Sequence, residues 1–202
     1  MATPQKFEEK KFVIPELKGI SKKTIEEHLK LYAGYVKNAN LINEKMGQYA
    51  KDVEGNIYVL GELNRRFSFE FNGMRNHEVY FSSLSGGPKP LAENSPLKKA
   101  MMEIYGPFEG WVEGIKKLAS TTRGVGWAML WYDRKDKRLI ISWVDEQHLG
   151  QLQNCALILG IDMWEHSYVA DYQPSGKKQY VDDFFANLNW EVIEKNFADA
   201  VA

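Results

Sequence analysis

Cysteine is nearly absent: Cys155 stands alone among 202 residues, so no disulfide can form within the chain. It lies in the apolar run Cys155-Ala156-Leu157-Ile158-Leu159, which reads as a buried hydrophobe rather than a reactive thiol. Net charge is also missing. Lys and Arg number 26 and Asp and Glu 27, so nothing global favours nucleic acid or an anionic membrane as partner. Long apolar runs do not occur either. No stretch is long enough to span a bilayer, and no signal-peptide core follows the polar residues 1–11, so a cytoplasmic location is expected. Histidine is scarce too: His28, His77, His148 and His166 are all there are.

What is present is ordinary in bulk and distinctive in one place. A composition 44% hydrophobic and 26% charged is that of a folded soluble domain, and 13% aromatics suit a well-packed interior or a ring-walled site. The distinctive place is Asp162-Met163-Trp164-Glu165-His166-Ser167-Tyr168. A carboxylate and an imidazole four residues apart form a ligand pair that suits iron, manganese or zinc. Asp162 closes an apolar run, where a buried carboxylate is costly unless paired or metal-bound. One Asp with up to three His makes a mononuclear metal centre the first hypothesis.

Hydrophobic spacing places these residues on elements. Ser21 to about Met46 reads as one helix, with Ile25, His28, Leu29, Tyr32, Tyr35, Val36 and Ala39 recurring at three- and four-residue steps. A polar turn over Asp52–Asn56 leads to a second helix from about Tyr58 to Leu84, and the two suggest an antiparallel hairpin. Ser85-Gly86-Gly87-Pro88-Lys89-Pro90 is the clearest break. Beyond it, Asn94–Tyr105 and Pro107–Ser120 read as short helices. Trp127–Tyr132 and Leu139–Val144 read as paired strands, and Ala156–Ile161 as a third. Lys178–Asn187 and Trp190–Ala200 read as closing helices. The expectation is an α+β protein: an N-terminal antiparallel helical hairpin domain over 1–88, and a C-terminal α/β domain over 89–202 with a small three-stranded antiparallel sheet. A site drawing on His28, His77, Asp162 and His166 would lie where the halves meet. Alone, His28 fits a plain aromatic core with Tyr32 and Tyr35, and His77 fits a satisfied core histidine.

The motifs taken together resemble the iron/manganese superoxide dismutase family over nearly the whole chain. Asp162–Tyr168 is similar to the family's D-x-W-E-H-x-Y signature, Gly126-Trp127-Ala128 to its G-W-A strand, Asn72–His77 to its second-ligand helix and Asn189-Trp190 to its final N-W. The resemblance implies superoxide disproportionation at one manganese or iron ion per subunit, an antioxidant activity, with His28, His77, Asp162 and His166 as ligands. It implies Tyr35 as the gateway tyrosine. The outer-shell glutamine comes from one of two places in the family. The position four residues before His77 holds Gly73, so Gln147 is the expected source, with His148 as its competitor and otherwise a solvent-facing loop residue. Gly73 with Gln147, and Gly160-Ile161 leading into the signature, favour manganese over iron. Trp127, Trp164 and Phe81 are implied as the apolar wall, Glu165 as an acid reaching a partner's His166 across a two-fold, and Tyr168 as a further residue of the outer shell and interface. Lys177 matches a basic position near the substrate channel. The implied partners are superoxide and a second copy, in a homodimer or a larger assembly, with no nucleic acid and no membrane.

Two departures stand out. The extra histidines that usually follow the first ligand are replaced by Leu29, Leu31 and Tyr32. Only seven steps separate His28 from Tyr35, where eight are usual. Seven residues miss two full turns by only about 20°, so both groups can share a face of an unbroken helix. The rival functions are a non-catalytic structural or interaction protein on the same fold, and a different mononuclear metalloenzyme. Four intact ligand positions weigh against the first. A third histidine weighs against an oxygenase with two His and one carboxylate.

Overall fold

Ser21 starts the first helix as expected, its hydroxyl accepting the Thr24 N–H at 3.1 Å. In the computed structural model, which describes residues 6–202, that helix (α1) runs Lys22–Tyr49 without a break. The chain reverses at Asp52, whose carboxylate accepts the Gly55 N–H and whose carbonyl accepts from Asn56. The second helix (α2) returns over Ile57–Leu84. Each helix buries one face, through Ile25, His28, Tyr32, Val36 and Ala39 on α1 and through Met74, His77, Tyr80, Phe81 and Leu84 on α2. The break after α2 is enforced by Gly86 and Gly87, both with φ near +80°, a region that side chains with a Cβ avoid.

The C-terminal half opens with α3 (Pro96–Tyr105) and α4 (Phe108–Thr121). Three antiparallel strands follow, β1 (Gly126–Asp133), β2 (Arg138–Asp145) and β3 (Cys155–Asp162), in the order β2-β1-β3. Seven of the eight residues of β1 are buried, as its central place requires. Its register sets Trp127 opposite Asp162. Three short pieces that the sequence reading left blank come next: turns of 3-10 helix at Glu165–Ser167 and Pro174–Gly176, with a one-turn helix, α5 (Val169–Tyr172), between them. Helices α6 (Lys177–Ala186) and α7 (Trp190–Val201) close the chain. The architecture is the expected α+β arrangement. No described helix is long and apolar enough to cross a membrane.

An extended strap over residues 6–20 ties the halves together. Its Phe7 exchanges hydrogen bonds with Asn40 of α1, and the Lys10 N–H donates to the Tyr32 hydroxyl. Further along, Lys18 exchanges hydrogen bonds with Asn187, at the end of α6. Cys155 is only partly buried at the start of β3, which corrects the fully buried reading. Burial and the nearby Asp133 push its thiol pKa up, which still opposes a reactive thiol.

Candidate metal centre

Four elements deliver the candidate ligands. His28 comes from α1 and His77 from α2, Asp162 is the last residue of β3, and His166 sits in the 3-10 turn behind it. That turn is short but well tied. The Trp164 N–H donates to Asp162 Oδ1 at 2.8 Å, and the Ser167 hydroxyl donates to the Asp162 and Trp164 carbonyls. Asp162 therefore spends Oδ1 on orienting its own loop and leaves Oδ2 toward the histidines.

All three imidazoles converge on that oxygen. The Nε2 atoms of His28, His166 and His77 lie 3.1, 3.1 and 3.5 Å from Asp162 Oδ2. One donor atom from each of the four residues falls within 4.8 Å of the others. Such donors lie about 2.0–2.2 Å from a bound ion, so two donors on one ion sit roughly 3–4 Å apart. The three separations from Asp162 Oδ2 meet that requirement. His77 adds a sharper sign. Its Nδ1 pairs with the Gly73 carbonyl at 2.6 Å, and its Nε2 is buried with no hydrogen-bond partner. An N–H fixed on Nδ1 leaves a lone pair on Nε2 aimed at the cluster, the arrangement a metal-binding imidazole needs.

Electrostatics agree. Burial lowers the pKa of both His28 and His77, the latter to about 3, where the neighbouring His28 also disfavours a second positive charge. Both rings are thus held neutral, as ligation requires. Burial opposes ionisation of Asp162. The charge and hydrogen bond of His166, with the hydrogen bond of His28, outweigh it and keep the carboxylate ionised. A hard anionic oxygen and three imidazoles suit iron or manganese.

Around this cluster the expected outer residues are close at hand. Gln147 is fully buried. Its Nε2 donates to the Tyr35 hydroxyl at 2.9 Å, and its Oε1 accepts from Trp127 Nε1 at 3.0 Å. The Tyr35 ring lies 5.0 Å from His77, packed against Gly73, where a Cβ would come within 2.5 Å of the ring. Phe81 lies 4.9 Å from His28, Trp127 5.1 Å from His77 and Trp164 5.6 Å from His166. Tyr168 is buried and stacks on Tyr180, whose hydroxyl meets that of Tyr80 beside His28. Glu165 is exposed on the outer side of the turn. Lys177 is partly buried and donates to the Thr122 carbonyl. Burial, with Arg123 nearby, holds its ammonium pKa below the ordinary lysine value.

His148 corrects the sequence reading. Instead of facing solvent it packs edge-on against Phe69 at 5.6 Å, its side chain 13% exposed. The hydroxyl of Tyr35 receives Gln147, not His148. The reading also missed Asn76 and Gln151, which both donate to the Gln147 carbonyl and so fix the glutamine from behind. Position 76, next to His77 yet one step round the helix, gave the only hint of it.

Comparison with known proteins follows the same lines. The profile of the iron/manganese superoxide dismutases, C-terminal domain, matches residues 93–196. The chain is 32% identical to the superoxide dismutase [Fe] of Aquifex pyrophilus, over 97% of this chain and 93% of that protein. It is also 32% identical to the mitochondrial superoxide dismutase [Mn] of Glossina morsitans morsitans, over 90% of this chain and 82% of that one. With the superoxide dismutase [Mn] of Mycobacterium avium it shares 30% identity over 87% and 83% of the two chains.

Proposed function

The chain belongs to the iron/manganese superoxide dismutase family and disproportionates superoxide at a mononuclear iron or manganese centre, and from that premise we propose which residues do the work. His28, His77, Asp162 and His166 are the ligands. The convergence of three Nε2 atoms on Asp162 Oδ2 is the observation that carries this reading. The bound ion supplies one-electron redox chemistry, alternating between two oxidation states, which zinc cannot do. The reaction takes two superoxide ions and two protons to dioxygen and hydrogen peroxide.

The protein's own part is to hold protons, exclude water and orient groups. Tyr35 keeps its proton because burial first, and the Asp162 charge second, push its pKa up. Its hydroxyl is thus a proton-bearing group beside His77, held in place by Gln147. Trp127 fixes Gln147 through its indole N–H, leaving the amide free to turn in no other direction. Phe81, Trp127 and Trp164 wall the ligands with apolar surface, which strengthens every charge interaction inside.

Manganese is the proposed metal. Gly73 offers no side chain near the site, and the glutamine comes from the C-terminal half as Gln147, the manganese-type pattern. Activity after loading the metal-free protein with manganese or iron in turn tests this. Higher activity with iron overturns it. A homodimer is the proposed assembly, because Glu165 is exposed next to His166 and can reach a second copy reciprocally. Residues 1–88 and 89–202 are taken as the two units that meet at the centre; positions 1–5 lie outside the described residues.

A further inference from the structure

We propose that Arg66 is the cation that draws the superoxide anion to the mouth of the site. The proposal rests on the functional reading above and adds a residue that no ligand or relay argument uses. Positions 77, 73, 70 and 66 of α2 follow one another at three- and four-residue steps and so share a face. Outward from His77 that face carries Gly73 with the Tyr35 ring on it, then Phe69 and Glu70, then Arg66. Eleven residues of helix put the Arg66 backbone about 16 Å from that of His77.

The side chain turns toward the next turn of α2, on the His77 side. Its guanidinium carbon lies 4.0 Å from the centre of the Phe69 ring, a cation–π contact, and its Nε donates to Glu70 Oε1 at 2.9 Å. The Phe69 ring lies 5.6 Å from His148, 6.0 Å from Tyr35 and 6.4 Å from Trp164. All four are partly exposed, and Trp164 adjoins His166, the one candidate ligand that reaches solvent in the single chain. This ring of aromatics is therefore where bulk water meets the centre, and Arg66 is the guanidinium on top of it.

Two features fit Arg66 for an anion. Its side chain is 46% exposed, and among the described residues only its Nε finds an acceptor, so the terminal N–H groups face solvent. Glu70 is buried behind it, with only a long 3.4 Å contact from Asn38 on its other oxygen. Without Arg66 that carboxylate would repel an anion approaching Tyr35. With it, the pair is neutral and its exposed part is positive. The neighbouring Arg65 differs, since Nε and Nη2 both close on Glu62. A guanidinium stays charged at every working pH, so the attraction does not depend on titration.

The test uses the metal-loaded enzyme. Second-order rates with superoxide are measured by pulse radiolysis at increasing salt for wild type, Arg66→Gln, Arg66→Lys and Arg138→Gln. The last removes the same charge at the far end of the sheet, where Arg138 lies opposite Asp133 in the β1–β2 ladder. Arg66→Gln is expected to lose about threefold at low salt, with the difference fading as salt shortens the screening length toward about 3 Å at 1 M. Arg66→Lys is expected to recover most of the loss, and Arg138→Gln to show none. In the same samples, tryptophan quenching by iodide should weaken in Arg66→Gln while quenching by neutral acrylamide stays unchanged. A loss that does not vary with salt, or that extends to acrylamide, means Arg66 only props Phe69 and overturns the proposal. So does an Arg66→Gln rate equal to wild type at every salt while wild type is active. An inactive wild-type holoenzyme instead fails the functional reading, and the proposal falls with it.

Discussion

The centre has a closed side and an open side. The hairpin delivers His28 and His77 with no solvent exposure, backed by Phe81, Tyr80 and Trp127. The segment after β3 delivers His166 with its side chain 22% exposed, next to an outward Glu165 and a half-buried Trp164. The contrast follows from local structure. Two 28-residue helices packed along their length can sequester a side chain in mid-span. A three-residue turn at the end of an edge strand cannot. The closed side is built to retain an ion. On the proposed reading the open side is where substrate enters and where Glu165 meets a second copy.

The largest expected effect lies on the closed side. His77→Ala removes a donor that no neighbour can replace and should abolish both stoichiometric metal binding and superoxide turnover. Metal analysis and activity on one purified sample check it, and retained activity would break the distinction between the two sides. Glu165→Ala probes the open side. In the proposed dimer its carboxylate orients the partner's ligating imidazole, so its loss should weaken metal affinity by about 10–100-fold, and dimerisation with it. Sedimentation beside metal analysis reads both, and a monomeric wild type of full activity would contradict the interface. Tyr35→Phe should keep the metal and lower turnover only at high superoxide flux, since it removes a proton-bearing hydroxyl and no ligand. Failure to hold metal would contradict that role.

Gly73→Ala gives the smallest effect and the finest test of the closed side. In a helix, alanine gains about 1 kcal/mol over glycine. Here its Cβ would meet three atoms of the Tyr35 ring within 3 Å, and Gln147 holds that ring by its hydroxyl. Overpacking of this kind costs about 1–3 kcal/mol. The variant should melt no higher than wild type and lose turnover through a displaced Tyr35. A clear gain in melting temperature with full turnover would show that the ring moves freely.

Legibility in the sequence followed the same division. Long helices announce themselves by period, so α1 and α2 began within a residue of where Ser21 and the Asp52–Asn56 turn predicted. The strands came out one residue longer at each end, because ladder pairing continues past the apolar run onto Asp133, Arg138 and Asp162. The seven-step spacing from His28 to Tyr35 correctly implied an unbroken α1. The turns and one-turn helix between Glu165 and Gly176 were invisible, since three or four residues carry no period. The strap over residues 6–20 was invisible for another reason: it is held by hydrogen bonds to distant side chains such as Asn40 and Asn187. His148 was misread because its cover, Phe69, lies on a helix 79 positions earlier in the chain. Arg66 and Glu70 carry no signal of their own in the sequence, being an ordinary i, i+4 pair on a helix; only the packing of Phe69 on Tyr35 gives them a place at the site.

The central claim is that one ion, held by His28, His77, Asp162 and His166, performs the chemistry. Asp162→Ala tests it most directly, because Oδ2 is the point on which the three imidazoles converge. Metal content and superoxide turnover should be measured on the same preparation of wild type and variant after identical loading. The account predicts about one manganese or iron per wild-type chain, turnover proportional to that content, and neither in a folded Asp162→Ala protein. A folded variant that still turns over superoxide, with or without metal, would contradict it.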